Sequence, residues 1–202
     1  MTPDSPAAAA PTYLLVDGEN IDATLGNHVL GGRRPAPEER PRWERVRVFA
    51  QAAFAAAGTG PDTGKRVTGL FFLNASAGHL PLPFIQALMA LDYRPIPLSG
   101  GPGIKVVDVG IQRTLDALRD RPGDVLLASH DGDFLPQIEP LLDGTRRVGV
   151  LGFREYLSST YTPLVERGLQ VYDLEDDVRA FTTVLPRVRI IPLEEFDPVR
   201  FL

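Results

Sequence analysis

The chain has 202 residues, with 26 acidic against 21 basic side chains and a net charge of −5. That length suits one domain with a full core, and the negative balance argues against a general DNA-coating role, which a basic excess would serve. The absence of cysteine excludes a disulfide scaffold, a cysteine-ligated zinc module and a thiol nucleophile.

Residues 1–11 are small residues and prolines and read as a disordered leader. Asp4 and the lack of a basic stretch speak against a signal peptide. No apolar run approaches the ~20 residues that span a bilayer, so a soluble cytoplasmic protein that does not engage a membrane is expected. Short apolar runs follow at 13–16, 67–73, 94–98, 124–128, 147–151 and 169–172. Several are apolar at consecutive positions, as strands buried on both faces are. Between them, apolar residues fall three or four apart: Trp43, Val46 and Ala50; Phe84, Leu88 and Leu91; Val107, Ile111, Leu115 and Leu118; Ile138, Leu141 and Leu142; Leu157, Tyr161 and Val165. Strands alternating with helices predict an α/β, Rossmann-like three-layer sandwich with a mainly parallel sheet over 12–173.

Two segments fall outside the alternation. Residues 29–42 combine glycine, proline and charge and predict a surface loop. Residues 174–202 form a C-terminal extension, acidic first and then apolar enough to pack on the domain or bind a partner. Within it, 188–191 could pair at a sheet edge, and a homodimer through the extension or an edge is one arrangement it would serve. Residues 33–47 hold six arginines against three glutamates. Arg33, Arg34, Arg40, Arg42 and Arg45, together with Lys105, are therefore the expected nucleic-acid-facing cations.

In a parallel α/β sheet, ligands bind beyond the C-terminal strand ends. The first strand run ends in Val16-Asp17-Gly18-Glu19-Asn20 and the fourth in Ser129-His130-Asp131-Gly132-Asp133. A further acid, Asp108, opens the helix before the fourth strand, three residues after Lys105. Clustered carboxylates repel unless a cation offsets them. Mg²⁺ or Mn²⁺ takes such hard oxygen ligands and can activate water against a phosphoryl group. Asp17, Asp108, Asp131 and Asp133 are the expected metal ligands. Asn20 is expected to orient a carboxylate or a water, Ser129 to hold Asp17 or touch a phosphate, and Lys105 to contact the scissile phosphate. His130 is a weaker candidate ligand. Asp-Gly pairs also serve as plain turns and helix caps, and Asn20 and Ser129 as caps. The glycines at 100, 101 and 103 do not form a nucleotide-binding P-loop. Tyr156 and Tyr161 could stack on a base.

The segments VDGENI at 16–21, KVVDV at 105–109 and SHDGDF at 129–134, in that order, resemble the NYN domain family, LabA-like relatives of PIN-domain nucleases. The resemblance covers roughly 12–173. It implies a PIN-like fold with an acidic centre and a Mg²⁺- or Mn²⁺-dependent ribonuclease acting on RNA. By motif it assigns catalytic roles to Asp17, Asn20, Lys105, Asp108, Ser129, Asp131 and Asp133. The chain departs from the family pattern at Val106 and His130, where glycine is common. It also departs at Thr114, where many members carry a further acid; the nearby Asp116 falls on a different helical face. That departure, the net negative charge and the apolar tail leave a second reading open, a catalytically weak or inactive RNA-binding or scaffold domain. A third, a phosphatase or a nucleotide-sugar enzyme using the Asp131/Asp133 pair, has less support because no phosphatase nucleophile motif follows the first strand.

Overall fold

The computed structural model describes residues 10–55, 66–186, 191 and 193–201. Six strands form one sheet: β1 (Thr12–Asp17), β2 (Val67–Asn74), β3 (Tyr93–Leu98), β4 (Asp124–Ala128), β5 (Val148–Gly152) and β6 (Gln170–Asp173). Their spatial order is β3-β2-β1-β4-β5-β6, and every pairing is parallel. Each strand stands within two residues of an apolar run in the sequence. The three-layer α/β sandwich expected from the alternation is the observed fold.

The sheet buries both faces, which is why its strands carry apolar residues at consecutive positions. In β1, Leu14 and Val16 point to one core and Leu15 to the other, all fully buried. The first face is covered by α1 (Gly18–Thr24), α2 (Trp43–Ala55) and α3 (Leu82–Ala90), the second by α4 (Val106–Leu118) with the short α5 (Leu135–Ile138) and α6 (Thr162–Val165). The chain winds outward from β1 through β2 to β3, then returns along α4 to β4 on the far side of β1. That reversal opens a crevice between the C-terminal ends of β1 and β4, where ligands bind in such sheets.

Helical periodicity overstates the last two helices. Pro136 and Pro140 limit the first to one α-turn and a 3₁₀ turn at Glu139–Leu141. The stretch at 157–165 is broken into one 3₁₀ turn, Ser159–Tyr161, and the single turn of α6, which has Pro163 in its first turn. The segment 29–42 is less superficial than expected. Val29, Leu30, Pro35 and Pro41 are buried, and a 3₁₀ turn spans Pro37–Glu39. The start of the C-terminal extension is also built into the first core, through Leu174, Val178, Ala180, Phe181 and Leu185. The Arg42 amide donates to the Ala180 carbonyl at 2.7 Å and fastens that segment to the foot of α2. Of the expected leader at 1–11, residues 1–9 lie outside the described residues, and the Pro11 carbonyl accepts the Asp124 amide at 3.0 Å; of the expected edge pairing at 188–191 only Ile191 is described, in no strand. Among the described residues no helix is long and apolar enough to cross a membrane.

Edge strand β3 contains Pro95 and Pro97, which lack the N–H groups a further strand would need. At Gly123, just before β4, φ is +135° and an added Cβ would stand 2.5 Å from the Pro11 carbonyl oxygen. The turn into the central strand therefore needs glycine.

A candidate metal centre at the sheet switch point

Asp17 ends β1 and caps α1. Its Oδ1 accepts the Asn20 amide at 3.1 Å, and its Oδ2 accepts the Ser129 hydroxyl at 3.1 Å. Only 3 % of the residue is exposed. Burial pushes its carboxyl up to about 6, with the neighbouring charges of Asp108 and Glu19 adding to the rise against those two hydrogen bonds. Ser129 in turn accepts the Asp131 amide at 3.3 Å. A chain of hydrogen bonds thus runs from the end of β1 to the loop after β4.

That loop is shaped by its own acids. Asp131 caps the 3₁₀ turn Gly132–Phe134 by accepting the Asp133 amide at 2.9 Å, and its carbonyl accepts the Tyr161 hydroxyl. Asp108 lies in the first turn of α4, and four residues on, Gln112 donates to the Asp133 carbonyl at 3.3 Å. Oxygens of Asp108, Asp131 and Asp133 consequently lie within 4.8 Å of one another. Asp108 and Asp131 are half-buried and Asp133 is exposed. Lys105 reaches over them, its Nζ 3.2 Å from Asp108 and 3.7 Å from Asp133. Its hydrogen bond to Asp108 and the three carboxylate charges hold the ammonium above its usual range.

Three of the four expected metal ligands therefore converge, and Asp17 stands outside the group. It remains close enough for Asp108 to raise its pKa, but both its oxygens are engaged, by Asn20 and Ser129. Asn20 turns its side chain away from the carboxylates: its Oδ1 accepts both the amide of His130, at 2.8 Å, and the His130 ring Nδ1–H, at 2.9 Å. His130 is not positioned as a ligand. Its Nε2 accepts the Phe153 amide at 2.7 Å, its ring stacks on that of Phe153, and 6 % of the residue is exposed. Burial first, then the nearby His28, lowers its pKa to about 4, so it is a neutral strut between α1, β4 and β5.

Thr114 does not border the carboxylates. It lines a cleft on the opposite side of α4 and donates its hydroxyl to the Gly110 carbonyl.

The arginine-rich segment is largely committed to its own fold. Arg33 pairs with Glu39, which is thereby lowered to about 2 and also accepts the Ala36 amide. Arg45 donates to the carbonyls of Arg179 and Phe181, both at 2.8 Å. Arg40 approaches Asp22 at 3.7 Å. Arg34 and Arg42 are exposed, with no side-chain partner among the described residues. Sequence reasoning did not find Gln112, although its i+4 spacing from Asp108 places both on one helical face. Tyr161, read as a stacking ring, is instead a buried support for Asp131.

No family model matches the chain, and no curated protein matches it. The crystal structure of a Vibrio parahaemolyticus protein of unknown function is similar to it, with a TM-score of 0.61 and 19 % identity over 86 % of this chain and 98 % of that one. At that identity the likeness speaks for the fold alone. The chain carries a parallel α/β sheet of Rossmann-like architecture, with an acidic triad at its switch point that could coordinate a divalent metal.

Proposed function

We propose that this chain is a metal-dependent ribonuclease of the NYN group of PIN-like proteins, hydrolysing RNA phosphodiester bonds at the triad of Asp108, Asp131 and Asp133. The observation that carries the reading is the convergence of three carboxylates within 4.8 Å at the crevice of the sheet. The donor set is entirely hard oxygen, with no thiolate and with the nearest imidazole turned away, so it fits Mg²⁺ or Mn²⁺ rather than zinc. A divalent ion held there supplies positive charge to phosphoryl oxygens and makes water more acidic.

The protein's own groups have distinct parts in this reading. Asp108, Asp131 and Asp133 hold the ion. Lys105 is exposed and long enough to leave the carboxylates for the oxygens of the scissile phosphate, where it offsets developing negative charge. Asp17 holds the Ser129 hydroxyl, Ser129 receives the Asp131 amide, and the pair thereby sets the direction of the Asp131 carboxylate. Asn20 and His130 fix the backbone just before it. Asp17 is accordingly a positioning residue with a charge behind the triad.

A second reading, a catalytically silent RNA-binding domain, is favoured by one observation. The Lys105 ammonium already bridges Asp108 and Asp133 and could serve as the triad's counter-ion. Cleavage of a mixed single-stranded RNA and DNA panel with Mg²⁺ or Mn²⁺, run beside Asp108→Asn and Asp131→Asn, separates the two. RNA cleavage by the parent chain that both variants lose supports the ribonuclease. RNA binding without cleavage supports the silent domain, and cleavage unchanged by either substitution rejects the assignment.

A further inference from the structure

Beside the acidic triad, across the N-terminal turns of α4, lies a cleft of about 410 Å³. That is within the ~300–1,000 Å³ range of small-ligand sites. Its walls are Phe72, Ile96 and Leu98 from the sheet, Ile104 from the preceding loop, and Val106 and Val109 from α4. At two glycines the walls close tightly on one another, which fixes the edges of the cleft. A Cβ on Gly110 would fall 2.2 Å from Leu98 Cδ1, and one on Gly100 would fall 2.6 Å from Val106 Cγ1.

Two features give the cleft a chemical preference. Arg113 lies on its wall, exposed and with no hydrogen-bond or ion-pair partner among the described residues. In addition, the same helical turns serve both sites. Lys105 and Asp108 lie at the triad while Val106, Val109 and Arg113 line the cleft, so one helix, ~10 Å across with its side chains, serves both. An apolar slot with a free guanidinium suits a ligand that is flat and apolar at one end and anionic or carbonyl-bearing at the other. A purely aliphatic occupant would leave the guanidinium unused, and an inorganic anion would leave the apolar walls unused.

We infer that this cleft is a nucleobase subsite, taking one base of a nucleotide while Arg113 contacts its phosphate or a base carbonyl. This rests on the ribonuclease reading for its setting, since a strand with one phosphate at the triad would bring a neighbouring base to the cleft. The shared chemistry is a base joined to a phosphate, supplied by a strand or by a free nucleotide.

The test uses the full chain, fluorescein-labelled hexaribonucleotides and, separately, free AMP and UMP. Binding is read in EDTA so that nothing is cleaved, and cleavage is read with Mn²⁺. Val109→Phe, which fills the slot, and Arg113→Gln are each expected to weaken hexamer binding about tenfold, a loss of ~1.4 kcal/mol. Both should keep the parental Mn²⁺ affinity and melting temperature. A 4-thiouridine in the hexamer should cross-link within 96–113. Weaker hexamer binding without measurable mononucleotide binding identifies a strand as the source of the base, whereas comparable loss for AMP or UMP identifies a free nucleotide. Hexamer affinity within twofold of the parent in both variants, with cross-links elsewhere, overturns the subsite and leaves the ribonuclease intact. Cleft-dependent binding by a chain that cleaves nothing overturns the ribonuclease and leaves the subsite. Absence of both binding and cleavage overturns both.

Discussion

Replacing Asp17 by Asn separates the stability role of this residue from its role behind the triad. In the folded chain its carboxyl is pushed from an ordinary value of 3.8 up to about 6, chiefly by burial. A folded-state pKa above the unfolded one stabilises the fold fully below pH 3.8, and this contribution is lost as pH rises through 6. A shift of that size corresponds to about 3 kcal/mol of destabilisation at pH 8 relative to acid. Asn keeps the geometry: its carbonyl can accept the Asn20 amide, and its NH₂ can donate to Ser129, whose hydroxyl rotates to suit. In EDTA at pH 8, Asp17→Asn is therefore expected to unfold at higher urea, with a gain of roughly 2–3 kcal/mol and a melting rise of several degrees for a chain of this size. The gain should shrink steadily as the pH is lowered and vanish near pH 4. Urea unfolding of both chains from pH 4 to 8 measures it. RNA cleavage should be lost in the same variant, because the substitution removes the negative charge behind the triad and its NH₂ competes with the Asp131 amide for the Ser129 oxygen. A variant less stable than the parent at pH 8, or a gain independent of pH, would refute the reasoning.

Other outcomes follow from individual contacts. His130 has a folded pKa lowered to about 4 from 6.5. Its contribution is thus complete above pH 6.5 and is lost as pH falls toward 4, opposite in sign to that of Asp17. Measured in the Asp17→Asn background, stability should fall across that window, and His130→Ala should abolish the slope. His130→Ala should also cost about 2–4 kcal/mol at pH 8 by stranding the Phe153 amide, removing the ring's bond to Asn20 and emptying the space the ring fills; unchanged urea unfolding would contradict the strut. Gly123→Ala should destabilise by about 2–4 kcal/mol, through its positive φ and the clash with the Pro11 carbonyl, in the same assay. Lys105→Met should tighten Mn²⁺ binding, by removing a competing cation, while lowering RNA cleavage. Weaker Mn²⁺ binding would show that Lys105 is not a counter-ion of the triad.

The fold was readable because burial on both faces leaves an unambiguous mark: the apolar runs at 13–16 and 124–128 stop at Asp17 and at Ser129-His130-Asp131, and strand ends are where parallel sheets bind. The convergence of Asp108 with Asp131 follows from the same logic, since α4 starts at that rim. Individual roles were less legible. Nothing local to Asp17 shows that Ser129, 112 residues away, donates to its second oxygen. His130 stands directly before Asp131 in sequence, yet its ring is claimed by Asn20 and by Phe153 across the sheet. Arg45 looked free because its partners are distant, the carbonyls 134 and 136 residues along the chain. Thr114 illustrates the converse, since its helical position alone could not tell which side of α4 faces the triad.

Direct Mn²⁺ titration of the full chain, followed by electron paramagnetic resonance, bears most closely on the triad. The expected result is saturable binding that Asp131→Asn weakens at least tenfold and that Asp108→Asn weakens likewise, while Arg34→Gln leaves it unchanged. Equal binding by parent, Asp131→Asn and Asp108→Asn, or no saturable binding by the parent, would contradict a metal centre at this rim.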